Sequence, residues 1–376
     1  MQASPVRYNS EYQRHSESSA RAAKVTALKL GVIPENLAER LALWFGIPPH
    51  GILESWIGIM ASRAVITATK LDIFEALAVG PLSLQKIVEK CATHPRATEQ
   101  LLNALVGMGC LHRTGDHYAL PKKMRAWILA DGKYSFRDQI LLHELEWRWW
   151  EHSEEYVRTG LPLRVHQTMT EHEWGVYQRG MRSGVAFPAN WVARNLPLPK
   201  TARSMLDVGG SHGFFSVAIC RRHPQLLATI LDLPQAIQHA APLLEKERMG
   251  DRVRYRAGNA LTDELGVDEY DLVFLASVVH HFDDATNRQL MRRLARALRP
   301  GGLVAIWEPM RQDRAGKIRQ LGGLMDLFFG LFSEAGTWSA EQIAAWCREA
   351  DLVPQKPKRM LFGPDLALYL GRKQAR

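Results

Sequence analysis

The segment that most constrains the fold is Asp207–Gly213, which reads Asp-Val-Gly-Gly-Ser-His-Gly. It follows a buried apolar strand, Ser204–Val208, and precedes an apolar helix, Phe214–Arg222. Glycines at such a turn let the backbone bend sharply and let a ligand approach the main chain. Strand-like and helix-like segments keep alternating after it, which predicts an α/β fold with a parallel sheet and helices on both faces.

Further elements are predicted in the same half of the chain. The additional strands are Ala228–Leu231, Tyr270–Leu275, Leu303–Trp307 and an antiparallel pair near Lys358–Phe362 and Leu366–Leu370. Asp284 is predicted to cap the helix that runs through Leu298. Residues 136 to 195 carry five tryptophans and are predicted to form helices that link two domains and cover a pocket.

Two acids restrict the ligand that the glycine-rich turn can hold. Asp207 stands two residues before the first glycine, where it would repel a phosphate and favour a cation, such as the amino-acid end of S-adenosylmethionine. Asp232 ends the next strand, and an acid there can accept both hydrogen bonds of a ribose diol. The turn lacks the glycine spacing of a dinucleotide site and the Gly-Lys-Ser/Thr ending of a P-loop.

The amino-terminal half has the element order of a winged helix. Helical patterns over Ile52–Leu77, from Ser83 to His94 and over Thr98–Met108 precede a hairpin at Leu111–Leu120. A DNA-reading helix would offer Arg, Lys, Asn or Gln to base edges, and the third helix contains neither Arg nor Lys. A transcription regulator with a sensing domain is therefore the weaker alternative.

Composition excludes several other classes of protein. The formal net charge of +9 is modest for 376 residues and does not require a nucleic acid. The four cysteines lie far apart, without the spacing of a zinc site or a disulfide framework. Neither a secretory signal nor an apolar run of membrane-spanning length is present. These observations predict a cytoplasmic, metal-free protein with no nucleic acid or membrane partner.

Four motifs together resemble a known family. They are the turn at Asp207–Gly213, Asp232-Leu-Pro, His280-His-Phe-Asp-Asp and Arg299-Pro-Gly-Gly. The chain resembles class I S-adenosylmethionine-dependent O-methyltransferases of the plant caffeic-acid and bacterial natural-product type, over roughly residues 50 to 372. The resemblance implies a homodimer that methylates a hydroxyl of a flat, aromatic molecule of secondary metabolism, with S-adenosylmethionine as the cofactor and S-adenosylhomocysteine as its product.

The resemblance also implies a domain organisation. An arm and helix (1–50) precede a winged-helix-like dimerisation domain (51–135) and linking helices that line the substrate pocket (136–198). A Rossmann-like methyltransferase domain with a mostly parallel, seven-stranded sheet follows (199–376).

By resemblance, nine residues are assigned to cofactor binding: Asp207, Gly209, Gly210, Gly213, Asp232, Leu233, Asn259, Ala260 and Ser277. The chain departs from the family at four positions there. Ser211 replaces the third glycine, His212 a Thr, Asn259 an Asp that reaches the adenine amino group, and Ala276 a Lys. The oxygen of an Asn side chain can still accept that hydrogen bond.

His280 is the candidate general base. A phenol has a pKa near 10, so a histidine that takes its proton makes methylation at neutral pH easier. The resemblance places the base at His280 and a supporting acid 28 residues later, at Glu308. His281 replaces a family Asp; His281 as the base, or neither histidine, are the open alternatives.

A second family glutamate has no direct counterpart. The aligned residue is Thr337, and Glu334 is a possible substitute three positions earlier. The capping-box pattern Ser339–Gln342 fixes this alignment, because it marks the start of the helix that follows. Methylation at carbon or nitrogen, or a relative that binds the cofactor without transferring methyl, therefore stays open.

The remaining candidates line the substrate pocket by resemblance, although each is also a normal core residue. They are Trp149, Met181, Phe187, Met325 and Phe328. Such apolar and aromatic side chains favour a flat, apolar substrate over a sugar or a phosphate.

Overall fold

The amino-terminal part is mainly helical with a small antiparallel sheet. The computed structural model describes residues 31–34, 36–47, 49–311, 318, 320–333, 335–360 and 366–375; the predicted arm, residues 1–30, lies outside them. Its elements are α1 (Leu37–Trp44), α2 (His50–Lys70), α3 (Ile73–Ala76), β1 (Leu82–Ser83), α4 (Leu84–Cys91), α5 (Pro95–Gly107), β2 (His112–Thr114), β3 (His117–Ala119) and α6 (Lys122–Ile128).

The winged-helix order is present, with three local differences from the sequence prediction. The first predicted helix divides into α2 and α3, because Asp72 between them has a left-handed backbone (φ 54°) that interrupts the hydrogen-bond ladder. The third helix begins at Pro95 rather than Thr98, since proline fits the first helical position. β1 was not predicted; it is two residues long and pairs with β3.

A set of linking helices follows and packs against both halves of the chain. They are α7 (Arg137–Trp150), α8 (Ser153–Thr159), α9 (Val165–Thr168), α10 (Glu171–Arg182) and α11 (Ala186–Asn195). Helix α7 contacts α2 on one side and α10 on the other. The linking helices therefore connect the amino-terminal helices to the elements around the large sheet.

The carboxyl-terminal part is a doubly covered sheet. Its elements are β4 (Ser204–Val208), α12 (Phe214–Arg222), β5 (Leu227–Asp232), α13 (Pro234–Glu245), β6 (Val253–Ala257), β7 (Tyr270–Ala276), α14 (Asp284–Ala297), β8 (Leu298–Pro309), α15 (Gln320–Phe332), α16 (Ala340–Glu349), β9 (Leu352–Arg359) and β10 (Leu366–Lys373). Among the described residues seven strands form this sheet, in the order β6-β5-β4-β7-β8-β10-β9. Strand β10 runs antiparallel to both of its neighbours, β8 and β9, and the other neighbouring strands of this sheet pair in parallel. The predicted mostly parallel α/β sheet is therefore confirmed.

Two apolar layers hold helices on the two faces of the sheet. One face packs α11 and α12 through Ala189 and Val217, and the other packs α14 and α16 through Leu294 and Trp346. All four of these side chains are fully buried. Because the parallel strands end at the same edge, the loops after β4, β5, β7 and β8 gather at one crevice.

Some local predictions for this part were wrong or incomplete. The cap of α14 is Asp283, not Asp284; Asp284 instead accepts a hydrogen bond from the indole of Trp346 at 2.8 Å. Strand β6 was not predicted. The described residues include no helix with the length and apolar composition needed to cross a bilayer.

Candidate active site

Three positions of the turn between β4 and α12 require glycine. Gly209 and Gly213 have positive φ values of 64° and 73°. A Cβ at Gly210 would lie 2.6 Å from Cγ of Asp207, which no real side chain tolerates. Ser211, which replaces a family glycine, also adopts a left-handed backbone, with φ 49°. Its hydroxyl bonds to the buried Oε1 of Gln178 at 2.5 Å, and this contact from α10 helps to hold the strained turn.

Asp207 lies beneath the turn as a fully buried carboxyl group. Its Oδ2 accepts a hydrogen bond from Oγ of Ser216 at 2.6 Å. Its Oδ1 is buried without a hydrogen-bond partner in the described part of the chain. Burial raises the pKa of Asp207 to about 7, with the neighbouring Asp232 adding to the effect. A buried acceptor that lacks a partner fits a cationic ligand placed over the turn.

Asp232 braces the same turn from the end of β5. One carboxyl oxygen accepts from the backbone N–H of Ser211 at 2.7 Å, and the other from that of Leu233 at 2.8 Å. Burial raises the pKa of Asp232. Tyr255 of β6 donates its hydroxyl to the Ser211 carbonyl at 2.8 Å. The carboxylate and the turn are therefore held in one arrangement, while Leu233 beside them is 44% exposed.

The other assigned cofactor residues lie on loops at the same edge of the sheet. Asn259 is exposed, and its Oδ1 accepts from the Leu261 backbone at 2.9 Å. Ala260, next to it, is half-buried. Ser277 directly follows β7 with a positive φ of 57°. The structure brings these loops to one crevice, and their roles stay predictions.

His280 and Glu308 form a buried pair at the ends of β7 and β8. Nδ1 of His280 lies 2.9 Å from Oε2 of Glu308. Oε1 of Glu308 accepts backbone N–H bonds from Val278 at 2.6 Å and Val279 at 3.0 Å. Such donors favour a carboxylate, so Glu308 accepts the Nδ1–H of His280 and leaves Nε2 with the lone pair.

The aromatic ring of Phe329 fixes the plane of His280. The two ring centroids are 3.8 Å apart, and the planes differ by 25°. Nothing in the described ranges hydrogen-bonds to Nε2 of His280. The imidazole is thus held at one nitrogen and on one face, with its second nitrogen available for a proton.

Two more histidines lie beside His280, and we call His280, His281 and His166 the histidine cluster. The His281 ring is 4.2 Å from that of His280 and 4.8 Å from that of His166. Nδ1 of His281 bonds with Oγ of Ser333 at 2.9 Å, and Nε2 of His166 bonds with the hydroxyl of Tyr177 at 3.1 Å. Burial lowers the pKa of His166 to about 4 and that of His281 well below its usual value, so both are neutral imidazoles.

The position of the second family acid is occupied differently. Thr337 is buried, and its hydroxyl and backbone N–H both donate to Oδ1 of Asp326, at 2.5 Å and 2.8 Å. Glu334, the other candidate, lies outside the described residues. Asp326, an acid of α15, therefore accepts hydrogen bonds from Thr337. The spacing of residues in the sequence does not predict this contact.

The predicted pocket residues differ in their surroundings. Trp149 and Phe328 belong to an aromatic group in which Phe332 contacts both, at ring distances of 5.4 Å and 4.3 Å. Met181 and Met325 are half-buried on α10 and α15. Phe187 is 47% exposed and makes no ring contact with this group among the described residues. Its assignment to a pocket therefore has the weakest structural support.

Several site residues were not predicted from the sequence. Gln178 and Tyr255 hold the turn, Phe329 stacks on His280, and His166 completes the histidine cluster. His166 carried no local signal, because it reaches the site from the short helix α9, far away in sequence.

Comparisons with known proteins place this geometry in a family. Residues 151–342, about half of the chain, match the model of the O-methyltransferase domain, and residues 53–123 match that of the O-methyltransferase dimerisation domain. The tetracenomycin polyketide synthesis 8-O-methyltransferase TcmO of Streptomyces glaucescens is 27% identical over 86% of this chain and 97% of its own length. The 3-hydroxy-5-methyl-1-naphthoate 3-O-methyltransferase of Streptomyces sahachiroi is 24% identical over 78% of this chain and 86% of its own.

A solved structure has the same fold. The crystal structure of human N-acetylserotonin methyltransferase, in complex with S-adenosylmethionine, superposes with a TM-score of 0.76 and covers 92% of this chain and all of its own. Its sequence identity is 19%, so this likeness concerns the fold. With both family models matched in the expected order, the chain belongs to the S-adenosylmethionine-dependent O-methyltransferases that carry an amino-terminal dimerisation domain.

Proposed function

We propose that this protein methylates a hydroxyl group of a flat aromatic acceptor of natural-product type, with His280 as the general base. The observation that carries the proposal is the buried contact between Nδ1 of His280 and Oε2 of Glu308 at 2.9 Å. A base needs one defined tautomer and one free nitrogen, and this contact provides both.

Proton transfer follows from the hydrogen bonds of the pair. As the acceptor oxygen forms its bond to the methyl carbon, its proton moves to Nε2 of His280. The resulting imidazolium lies against the Glu308 carboxylate, which two backbone N–H groups hold in position. When bound, S-adenosylmethionine supplies an electrophilic methyl group on a positively charged sulfur that leaves as a neutral thioether.

Residues at the ends of β4 and β5 are suited to hold that cofactor. The partnerless Oδ1 of Asp207 favours a cationic ammonium group over the turn. The Asp232 carboxylate keeps lone pairs beyond its two backbone bonds and can accept from a ribose diol. Leu233, Asn259, Ala260 and Ser277 are proposed to border the adenosine portion.

The acceptor side is apolar and aromatic. Trp149, Phe328 and Phe332 pack edge to face, and α15 also carries Met325 and the Phe329 ring that stacks on the base. Aromatic and Met side chains grip flat rings well, since they present large, polarisable faces. The naphthoate in the name of one relative has the same chemical character.

A homodimer is the proposed assembly, formed through the amino-terminal helices of the 51–135 region together with α1. Large apolar side chains on α1 and α2 are exposed, including Trp44 at 76%, Trp56 at 63% and Ile59 at 56%. Several large apolar side chains exposed on neighbouring segments of the chain favour an interaction site there. The matched dimerisation model lies over the same region.

The test is transfer of labelled methyl from S-adenosylmethionine to a panel of phenolic acceptors. His280→Ala should reduce kcat by about 10²- to 10⁴-fold, the usual contribution of a general base. Its affinity for the cofactor should be unchanged, and His172→Phe, at an exposed histidine, should retain full activity. A wild-type protein that does not bind the cofactor, or full activity in His280→Ala, contradicts the proposal. A product methylated at nitrogen or carbon, identified by NMR, would favour the alternative chemistry.

A further inference from the structure

The histidine cluster contains more imidazoles than a single base requires. His281 follows the base directly on the turn after β7, whereas His166 comes from α9 among the linking helices. Their rings meet edge to face, with centroids 4.8 Å apart and planes at 84°. The cluster therefore places the His281 ring 4.2 Å from the base and the His166 ring 4.8 Å from that of His281.

Both extra imidazoles are neutral, so each carries one N–H donor and one acceptor nitrogen. The phenol of Tyr177 is buried and stays protonated, because burial raises its pKa, and its oxygen lies 3.1 Å from Nε2 of His166. We assign this hydroxyl as the donor, which places the proton of His166 on Nδ1. Oγ of Ser333 lies 2.9 Å from Nδ1 of His281, and the same assignment there places the His281 proton on Nε2.

These two N–H groups lack a hydrogen-bond acceptor in the described ranges of the chain. Neither His166 Nδ1 nor His281 Nε2 makes a hydrogen bond to a described residue. Both residues are only partly buried, so part of each side chain is accessible to a ligand. Polar groups with this arrangement inside an aromatic site are suited to fix the orientation of a ligand.

We propose that His281 and His166 are specificity-determining residues that bind a second oxygen of the acceptor, a carbonyl next to the hydroxyl that is methylated. The favoured acceptor class is then a peri- or ortho-hydroxy ketone or quinone on a fused aromatic ring. This inference rests on the proposed function, because it places the reacting hydroxyl at His280.

A physical reason connects this acceptor class with the chemistry. In a peri-hydroxyquinone the phenol proton is tied to the neighbouring carbonyl by an internal hydrogen bond, which keeps it from an external base. Two imidazole N–H donors aimed at that carbonyl compete for its lone pairs and release the phenol proton toward Nε2 of His280. An acceptor without the carbonyl would leave both donors unpaired, and unpaired buried donors are costly.

The test compares two isomeric acceptors that differ only in this relationship: 1-hydroxyanthraquinone, with its hydroxyl beside the carbonyl, and 2-hydroxyanthraquinone, with its hydroxyl away from it. The full-length wild-type protein should favour the first isomer in kcat/KM. His281→Phe and His166→Phe keep a ring but remove the donors, and each should lower kcat/KM for the first isomer by about 5- to 100-fold. The same variants should change kcat/KM for the second isomer by less than about threefold.

Three controls keep the outcome interpretable. His281→Asn retains an N–H donor and should keep part of the preference for the first isomer that His281→Phe loses. It also replaces His281→Phe in the test if that variant does not fold. His172→Phe removes an exposed histidine of α10 and should behave like wild type. Binding of both isomers to the protein saturated with S-adenosylhomocysteine provides a readout that does not depend on turnover.

A wild-type protein that prefers the second isomer, or that neither binds nor methylates the first, overturns the inference. Equal losses on both isomers in the Phe variants also overturn it, because a merely structural role predicts that result. The proposed function fails separately, when His280→Ala has no effect on any acceptor or when the cofactor does not bind.

Discussion

Asp326 of α15 accepts two hydrogen bonds from Thr337, from the backbone N–H at 2.8 Å and from the hydroxyl at 2.5 Å. The preceding residue, Gly336, donates its N–H to the carbonyl of His280 at 3.4 Å. A Cβ at Gly336 would lie only 3.1 Å from Oδ1 of Asp326, so the loop packs closely against the acid. Asp326 thus connects α15 to the backbone of the candidate base.

Asp326→Ala should leave both Thr337 donors without their acceptor. We expect the free energy of unfolding to fall by about 1–3 kcal/mol in chemical denaturation, since these groups are partly buried. We also expect kcat to fall while the Kd of the cofactor is unchanged. Thr337→Val keeps the backbone donor and should lose only about 1 kcal/mol. An Asp326→Ala protein that is less stable but has the wild-type kcat would limit Asp326 to a role in folding.

Glu308→Gln tests the support of the base while nearly preserving its shape. An amide cannot accept at both ends, so either His280 or the backbone pair, Val278 and Val279, loses its acceptor. Loss of a charge-assisted hydrogen bond should lower kcat by about 10- to 100-fold. Isothermal titration should give an unchanged Kd for the cofactor. If kcat is unchanged, Glu308 does not set the tautomer of His280.

How much of this site the sequence predicts depends on whether the partners follow neighbouring strands. The family resemblance predicts the pair of His280 and Glu308, and the two meet because His280 lies shortly after β7 and Glu308 near the end of the adjacent strand β8. Asp326 was missed because its contact with Thr337 depends on how α15 packs, which no local pattern encodes. The recruitment of His166 from α9 was missed for the same reason.

The helix caps also show where local sequence is sufficient for a prediction and where it is not. The capping box of Ser339 and Gln342 was predicted and is confirmed. At α14 two adjacent acids, Asp283 and Asp284, can both cap a helix, and local sequence does not distinguish them. Tertiary packing decides, because the indole of Trp346 from α16 takes Asp284 as its acceptor.

Cofactor affinity should depend on pH through Asp207. Burial raises the pKa of Asp207 to about 7, so the carboxyl group of the free protein is ionised above that pH and protonated below it. A cationic ligand prefers the ionised form, and the Kd for S-adenosylmethionine should therefore decrease as the pH rises from 6 to 8. Asp207→Asn should bind about tenfold more weakly at pH 8 and lose the pH dependence. Asp251→Asn, at an exposed acid, is the matched control.

The raised pKa of Asp207 also predicts how the free energy of unfolding depends on pH, and this dependence is opposite in sign to that of cofactor affinity. The folded protein keeps the Asp207 proton to about pH 7, whereas the unfolded chain releases it near the ordinary Asp pKa of 3.8. The folded state thus binds more protons between these values, and the contribution of Asp207 to the free energy of unfolding falls as pH rises through that window. Denaturation of the cofactor-free protein at pH 5 and pH 8 should reveal this decrease. Its persistence in Asp207→Asn would assign it to another group.

The proposed dimer predicts a position-specific effect of charge on the amino-terminal helices. Trp56 of α2 is 63% exposed, and a buried partner surface would remove that indole from water. Trp56→Glu places a charge in the contact and should shift the protein from dimer to monomer in analytical ultracentrifugation. Val267→Glu changes a similarly exposed apolar residue, at 51%, in the carboxyl-terminal part and should leave the dimer intact. Because desolvating an unpaired carboxylate is costly, a dimer that tolerates Trp56→Glu cannot use this face of α2.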